Sequence, residues 1–134
     1  MASVLAILVF IALACNASTA NLSSFKASKV KDGEETSSFK TGDTIYGKAV
    51  VSNNPGKVKV KLYLTADDAK GLTKGETLKG SEVSIDLAEN VNIAAYSLPV
   101  SEGLPAGTYK LNADMINEAG EKKDSKTANI TVSE

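Results

Sequence analysis

The chain has no histidine, no arginine and no tryptophan, and its one cysteine is Cys15. Each absence narrows the chemistry. Histidine is the commonest general base and metal ligand. Arginine supplies the planar fork that grips phosphate or carboxylate bidentately. The basic residues are therefore all lysine, and 15 of them against 16 acidic residues leave a net charge of −1. That balance lacks the basic excess of a nucleic-acid binder. A lone cysteine allows no disulfide within the chain, so packing alone must hold the fold. No Gly-x-Ser-x-Gly elbow or phosphate-loop glycine spacing is present. The expectation is a protein that is not an enzyme and carries no cofactor or metal.

Aromatic residues are also scarce, at 5% against 43% hydrophobic residues overall, so the core must be aliphatic. At 134 residues the chain is long enough for one domain. The longest apolar run, Val4 to Ala14, is shorter than the roughly 20 residues that span a bilayer. It fits the hydrophobic region of a secretory signal, and Ser18-Thr19-Ala20 matches the small-x-small pattern of a cleavage site. The expected organisation is a signal peptide over residues 1–20 and one domain over residues 21–134. The mature chain would have no transmembrane helix and would lie outside the cell or in a periplasm. A second reading makes Cys15 a lipid anchor, because Ala12-Leu13-Ala14-Cys15 resembles a bacterial lipobox. Asn16, Asn21 and Asn129 each begin a glycosylation sequon.

What the sequence does have is alternation. From Lys57 to Thr65 it puts Val58, Val60, Leu62 and Leu64 on one side and Lys57, Lys59, Lys61, Tyr63 and Thr65 on the other. A strand sends successive side chains to opposite faces, so this is a strand with one dry face and one wet face. Thr44 to Ser52 repeats the pattern, with Ile45, Gly47, Ala49 and Val51 inward and Tyr46 and Lys48 outward. Asn53-Asn54-Pro55-Gly56 between them is a turn signal. It predicts either a hairpin or an arch between two sheets, and the inward list is the same for both. Further strands are predicted at Phe25 to Val30, Thr77 to Leu87 and Val91 to Leu98. In the last of these, Val91, Ile93 and Ala95 share one face, while Tyr96 and Leu98 fall on the other parity. That predicts a bulge near Ala94-Ala95. Thr108 to Ile116 and the run through Ala128, Ile130 and Val132 read as a closing hairpin, with Leu111 opposite Ile130. About seven short strands with turn signals between them predict an all-β, antiparallel, immunoglobulin-like sandwich.

Gly107-Thr108-Tyr109-Lys110-Leu111 resembles the tyrosine corner of immunoglobulin-like domains, with Tyr109 as the corner and Gly107 entering it. Together with Thr41-Gly42-Asp43-Thr44-Ile45-Tyr46 and Leu104-Pro105-Ala106, it is similar to bacterial Ig-like and macroglobulin-like modules. That likeness implies a non-catalytic adhesion, spacing or binding role at a cell surface. The run from Tyr96-Ser97-Leu98-Pro99 through Leu104 to Leu111 also resembles the late strands of the MD-2-related lipid-recognition family. This second likeness implies a lipid carrier, with Leu62, Leu64, Leu111 and Met115 lining a cavity between the sheets. A fibre subunit is a third reading. The candidate binding face is Lys57, Lys59, Lys61 and Tyr63 with Tyr46 and Lys48, open to a protein, glycan or lipid. The bland reading of those lysines is a solvated face that discourages edge pairing. Asp67 and Asp68 read as a solvated acidic loop.

Overall fold

The computed structural model of the chain describes residues 20–134. The expected signal peptide, its cleavage site up to Thr19, and Cys15 lie outside the described residues. Eight strands follow: β1 (Asn21–Ser28), β2 (Ser38–Lys40), β3 (Thr44–Ser52), β4 (Val58–Ala69), β5 (Val83–Leu87), β6 (Ile93–Pro99), β7 (Gly107–Ile116) and β8 (Lys122–Ser133). They form two sheets, one in the order β1-β3-β6 and one in the order β2-β8-β7-β4-β5. These are called sheet A and sheet B below. The fold is the all-β, immunoglobulin-like sandwich expected, with one strand more than the pattern predicts. The extra strand is β2, where Phe39 dips into the core beside Val132 while β2 runs parallel to β8.

The chain arches between the sheets at Asn53 to Lys57 instead of making a hairpin. Asn53 and Lys57 take positive φ angles of 57° and 59°, and Gly56 takes 92°. Asn54 holds the arch. Its amide nitrogen donates to Ala88 O at 3.0 Å and Val91 O at 2.7 Å, and its amide oxygen accepts from Gly56 N at 2.8 Å. These bonds tie the arch to the connection between β5 and β6.

The core is mostly aliphatic, but the scarce aromatics are concentrated in it: Phe25, Phe39, Tyr96 and Tyr109 are all buried. Ile45, Val60, Leu62, Leu64 and Leu111 have no exposed surface. Burying each such side chain contributes about 1.5–3 kcal/mol. Gly47 packs closely against the opposite sheet. A Cβ on it would lie 3.1 Å from Leu111 Cδ2 across the sandwich, 3.3 Å from Tyr96 Cβ and 3.5 Å from Phe25 Cε1. The missing side chain gives that space to Tyr96, its neighbour on β6.

Three strand expectations fail. Asp67 and Asp68, read as a loop, lie in β4, which runs to Ala69 with a register shift against β7 between Ala66 and Asp68. β6 pairs with β3 in unbroken register from Thr44↔Pro99 to Val50↔Ile93, so there is no bulge near Ala94-Ala95. Ala94 and Tyr96 are the buried positions, and Val91 and Ile93 are exposed. Tyr96 decides this phase. Its ring is the largest apolar surface on the strand, and its hydroxyl reaches Ser81 O at 2.7 Å inside the sandwich. The closing hairpin forms, but its register differs by two residues: Tyr109 faces Ile130 and Leu111 faces Ala128. A shift of two leaves the inward set unchanged, so side-chain pattern cannot distinguish the two registers.

Candidate functional site

The arch separates the six residues of the candidate binding face. Lys59, Lys61 and Tyr63 lie on β4, on the outer face of sheet B, with Lys57 at the end of the arch just before it. Tyr46 and Lys48 lie on β3, on the outer face of sheet A. The two groups point away from each other, so no single face joins them.

Two of the three candidate lysines at sheet B hold an acid. Lys57 Nζ lies 3.0 Å from Glu118 Oε1 and Lys61 Nζ lies 2.5 Å from Glu82 Oε1. Lys59 stands opposite Asp86 of β5 in register but, among the described residues, holds no ion pair. The Tyr63 hydroxyl donates to Asp114 Oδ2 at 2.9 Å, and Lys61 sits 5.5 Å from the Tyr63 ring centre. Burial and then the Asp114 carboxylate push the Tyr63 pKa up to about 12. The Glu82 carboxylate holds the Lys61 ammonium above its usual range. Asn112 completes the network through bonds to Tyr63 O, Thr65 Oγ1 and Lys110 O. An open groove of about 520 Å³ does run past Lys57 and Lys59, but Asp86 and Glu118 share its walls.

Sheet A is different. The connection between β1 and β2 folds beside its outer face. With the strands it forms an open groove of about 540 Å³ lined by Lys26, Ser28, Lys31, Asp32, Tyr46, Lys48, Ile93 and Ala95 among others. Lys48 pairs with Asp32 at 3.1 Å. Among the described residues, Lys26 and Lys31 hold no ion pair and the Tyr46 hydroxyl makes no hydrogen bond. The groove therefore combines unspent positive charge, a half-buried phenol and exposed aliphatic surface from Ile93. Alternation alone places Tyr46 and Lys48 outward. It does not find Lys26, Lys31 or Ile93, because they come together only when β1, β3 and β6 pair.

Tyr109 is buried, and its hydroxyl donates to Pro105 O four residues upstream. Burial raises its pKa. Gly107 takes φ = +147°, a conformation side chains resist, and a Cβ there would lie 2.5 Å from Ala69 Cα. Asp67 accepts from Thr108 Oγ1 at 3.4 Å and pairs with Lys74 at 3.6 Å. Among the described residues, no group of three or more acidic or cysteine side chains stands ready for a metal ion. Among the same residues, no helix is long and apolar enough to cross a membrane.

The four side chains expected to line a lipid cavity are packed into the core. Leu62, Leu64 and Leu111 are fully buried and Met115 is 2% exposed. Gly47 on β3 closes against Leu111 on β7, one of the two strands that carry them.

No protein-family model and no curated protein sequence matches the chain. A solved structure of a Niemann-Pick type C2 protein from the Japanese carpenter ant is similar in fold, with a TM-score of 0.51. The two are 18% identical, and the match covers 86% of this chain and 93% of that one. At that identity the likeness speaks to the sandwich fold alone.

Proposed function

We propose that the chain is an exported, non-catalytic immunoglobulin-like module that binds through its outer surface, at the groove on sheet A. The observation that carries this reading is the contrast between a filled interior and a groove with unspent charge. A methyl group on Gly47 would press on the Leu111 side chain at 3.1 Å. Lys26 and Lys31 stand beside Tyr46 and Ile93 without a partner acid. A ligand suited to the groove carries a negative group for the lysines and an apolar or sugar face for Tyr46 and Ile93. An acidic glycan or an acidic protein segment at a cell surface has that chemistry. The test is binding of fluorescently labelled protein to the surface of the producing cells. Lys26→Glu with Lys31→Glu should abolish salt-sensitive binding, whereas Lys61→Glu should leave most of it. Equal loss from both changes would move the site elsewhere.

The fold neighbour favours a second reading, a lipid carrier. Niemann-Pick type C2 proteins share the MD-2-related sandwich, and the late-strand sequence resembles that family too. A carrier needs the sheets to part near Leu111 and Met115. Native mass spectrometry separates the readings: a near-stoichiometric copurifying lipid would establish the carrier, and its absence supports the surface module.

A further inference from the structure

We propose that two copies of this chain pair through β6, edge to edge and antiparallel, around a two-fold axis at Ala95. A sheet edge presents unpaired backbone groups, and proteins blunt such edges with charge, bulges or brevity. Three of the four edges here are blunted. β1 carries Lys26 and a register shift between Leu22 and Ser24, and Asp124 Oδ2 accepts the Leu22 N–H at 2.9 Å. β2 has only three residues, one of them Lys40. β5 contains Asp86 and follows Glu82. By contrast, β6 reads Ile-Ala-Ala-Tyr-Ser-Leu-Pro, seven residues without a charge.

The backbone geometry says which groups are free. Val51 N donates to Asn92 O at 2.7 Å, so that opposed pair is hydrogen-bonded. Antiparallel pairs alternate between bonded and non-bonded. Ala94, Tyr96 and Leu98 therefore bond to β3, and the N–H and C=O of Ile93, Ala95 and Ser97 point away from it. A two-fold axis at Ala95 sets Ala95 against its copy and Ile93 against Ser97 of the second chain. Every outward donor then meets an outward acceptor. The next pair in that register sets Val91 against Pro99, which has no N–H and ends the ladder. A two-fold contact brings residues near the axis against their own copies. A charged edge would repel itself there, which singles out β6 and selects a second copy as its occupant. Exposed apolar surface lies at this strand: Ile93 and, just before it, Val91 are two of the four large exposed hydrophobics among the described residues. A single strand pair is a small contact beside the roughly 1,200–2,000 Å² of a stable interface, so the association depends on concentration.

Sedimentation velocity on the purified protein, expressed with its own N-terminal segment, tests this across a hundredfold concentration range. A shift from monomer to dimer is expected. Ala95→Lys should remain monomeric throughout with an unchanged melting curve, while Ser84→Lys on β5 should dimerise like the parent. Amide exchange at Ile93, Ala95 and Ser97 should slow at high concentration in the parent only. A parent that stays monomeric overturns the proposal. So does an Ala95→Lys variant that still dimerises, or an open-ended series of larger species in place of a dimer. The readouts are independent of cell-surface binding, so this proposal and the groove reading can fail separately.

Discussion

The outer faces of the two sheets carry the same kinds of residue and use them differently. On sheet B a tyrosine and its lysines are spent on neighbours: Tyr63 on Asp114, Lys61 on Glu82, Lys57 on Glu118. On sheet A, among the described residues, Tyr46 and Lys26 stand without such partners, while Lys48 is paired with Asp32. β4 and β3 each lie between two strands, but β7 and the residue before β5 offer β4 the acids Asp114 and Glu82, whereas neither β1 nor β6 contains an acidic residue. The lesson is that a wet strand face becomes a candidate site only after its neighbours are known. In the most conspicuous basic stripe of the sequence, Lys57 and Lys61 are answered by acids and Lys59, among the described residues, is not.

The largest effects should come from the core beneath both faces. Leu111→Ala removes the side chain that meets Gly47 and should cost roughly 2–5 kcal/mol. Gly107→Ala adds overpacking of about 1–3 kcal/mol to backbone strain of about 1–3 kcal/mol. Urea melts of both variants check this. If Leu111→Ala is nearly silent, the sheets are not closed there and the carrier reading gains.

The tyrosines sharpen the comparison at a smaller scale. Tyr109→Phe strips a bond to a backbone carbonyl and should cost roughly 1–3 kcal/mol if that carbonyl is left unpaired. Tyr63→Phe should cost roughly 0.5–1.5 kcal/mol, the usual net value of one hydrogen bond. Tyr46→Phe should cost nothing measurable. Equal melts for Tyr63→Phe and Tyr46→Phe would erase the distinction between the faces.

Alkaline titration probes the same groups. Burial pushes the Tyr96 pKa to about 12, and burial with Asp114 does the same for Tyr63, from an ordinary value of 10.0. In the unfolded chain these phenols ionise near the ordinary value, so above it the unfolded state loses protons first. Their contribution to stability is whole below about pH 10 and is lost as pH rises through about 12. Thermal melts should show that loss, and Tyr96→Phe should flatten part of it while lowering stability at neutral pH. A Tyr96→Phe curve parallel to the parent across that window would show that Tyr96 ionises as freely in the fold as outside it.

Much of the fold was legible because alternation is unbroken on β3, on β7 and on β4 as far as Ala66, and a strand has only two faces. Ile45, Gly47, Ala49 and Val51 point inward as the pattern requires. β6 misled because Val91 and Ile93, both β-branched, look like core, whereas one ring at Tyr96 outweighs them. The site was half legible. Outward direction could be read for Tyr46 and Lys48, but the arch at Asn53 to Lys57 determines which lysines share a face. A turn signal does not say whether its strands pair with each other. Lys26 and Lys31 lie far in sequence from Ile93, and only the β1-β3-β6 order brings them together.

The smallest effect tests the comparison most directly. Lys61→Ala and Lys26→Ala should each change stability by no more than about 0.5 kcal/mol, the usual range for surface positions. Within that range they should still differ. Lys61 loses contact with Glu82 and its place near the Tyr63 ring, so its removal should be slightly unfavourable at low salt. The difference should fade near 1 M salt, where screening shortens to about 3 Å. Lys26 has no acid to lose, and its removal relieves repulsion from Lys31 and Lys48 across the groove, so it should be neutral or slightly stabilising. Paired urea melts at low and high salt resolve the sign. If Lys26→Ala is the more destabilising at low salt, its charge is already in use within the fold, and the groove on sheet A has no more charge to offer a ligand than the face of sheet B.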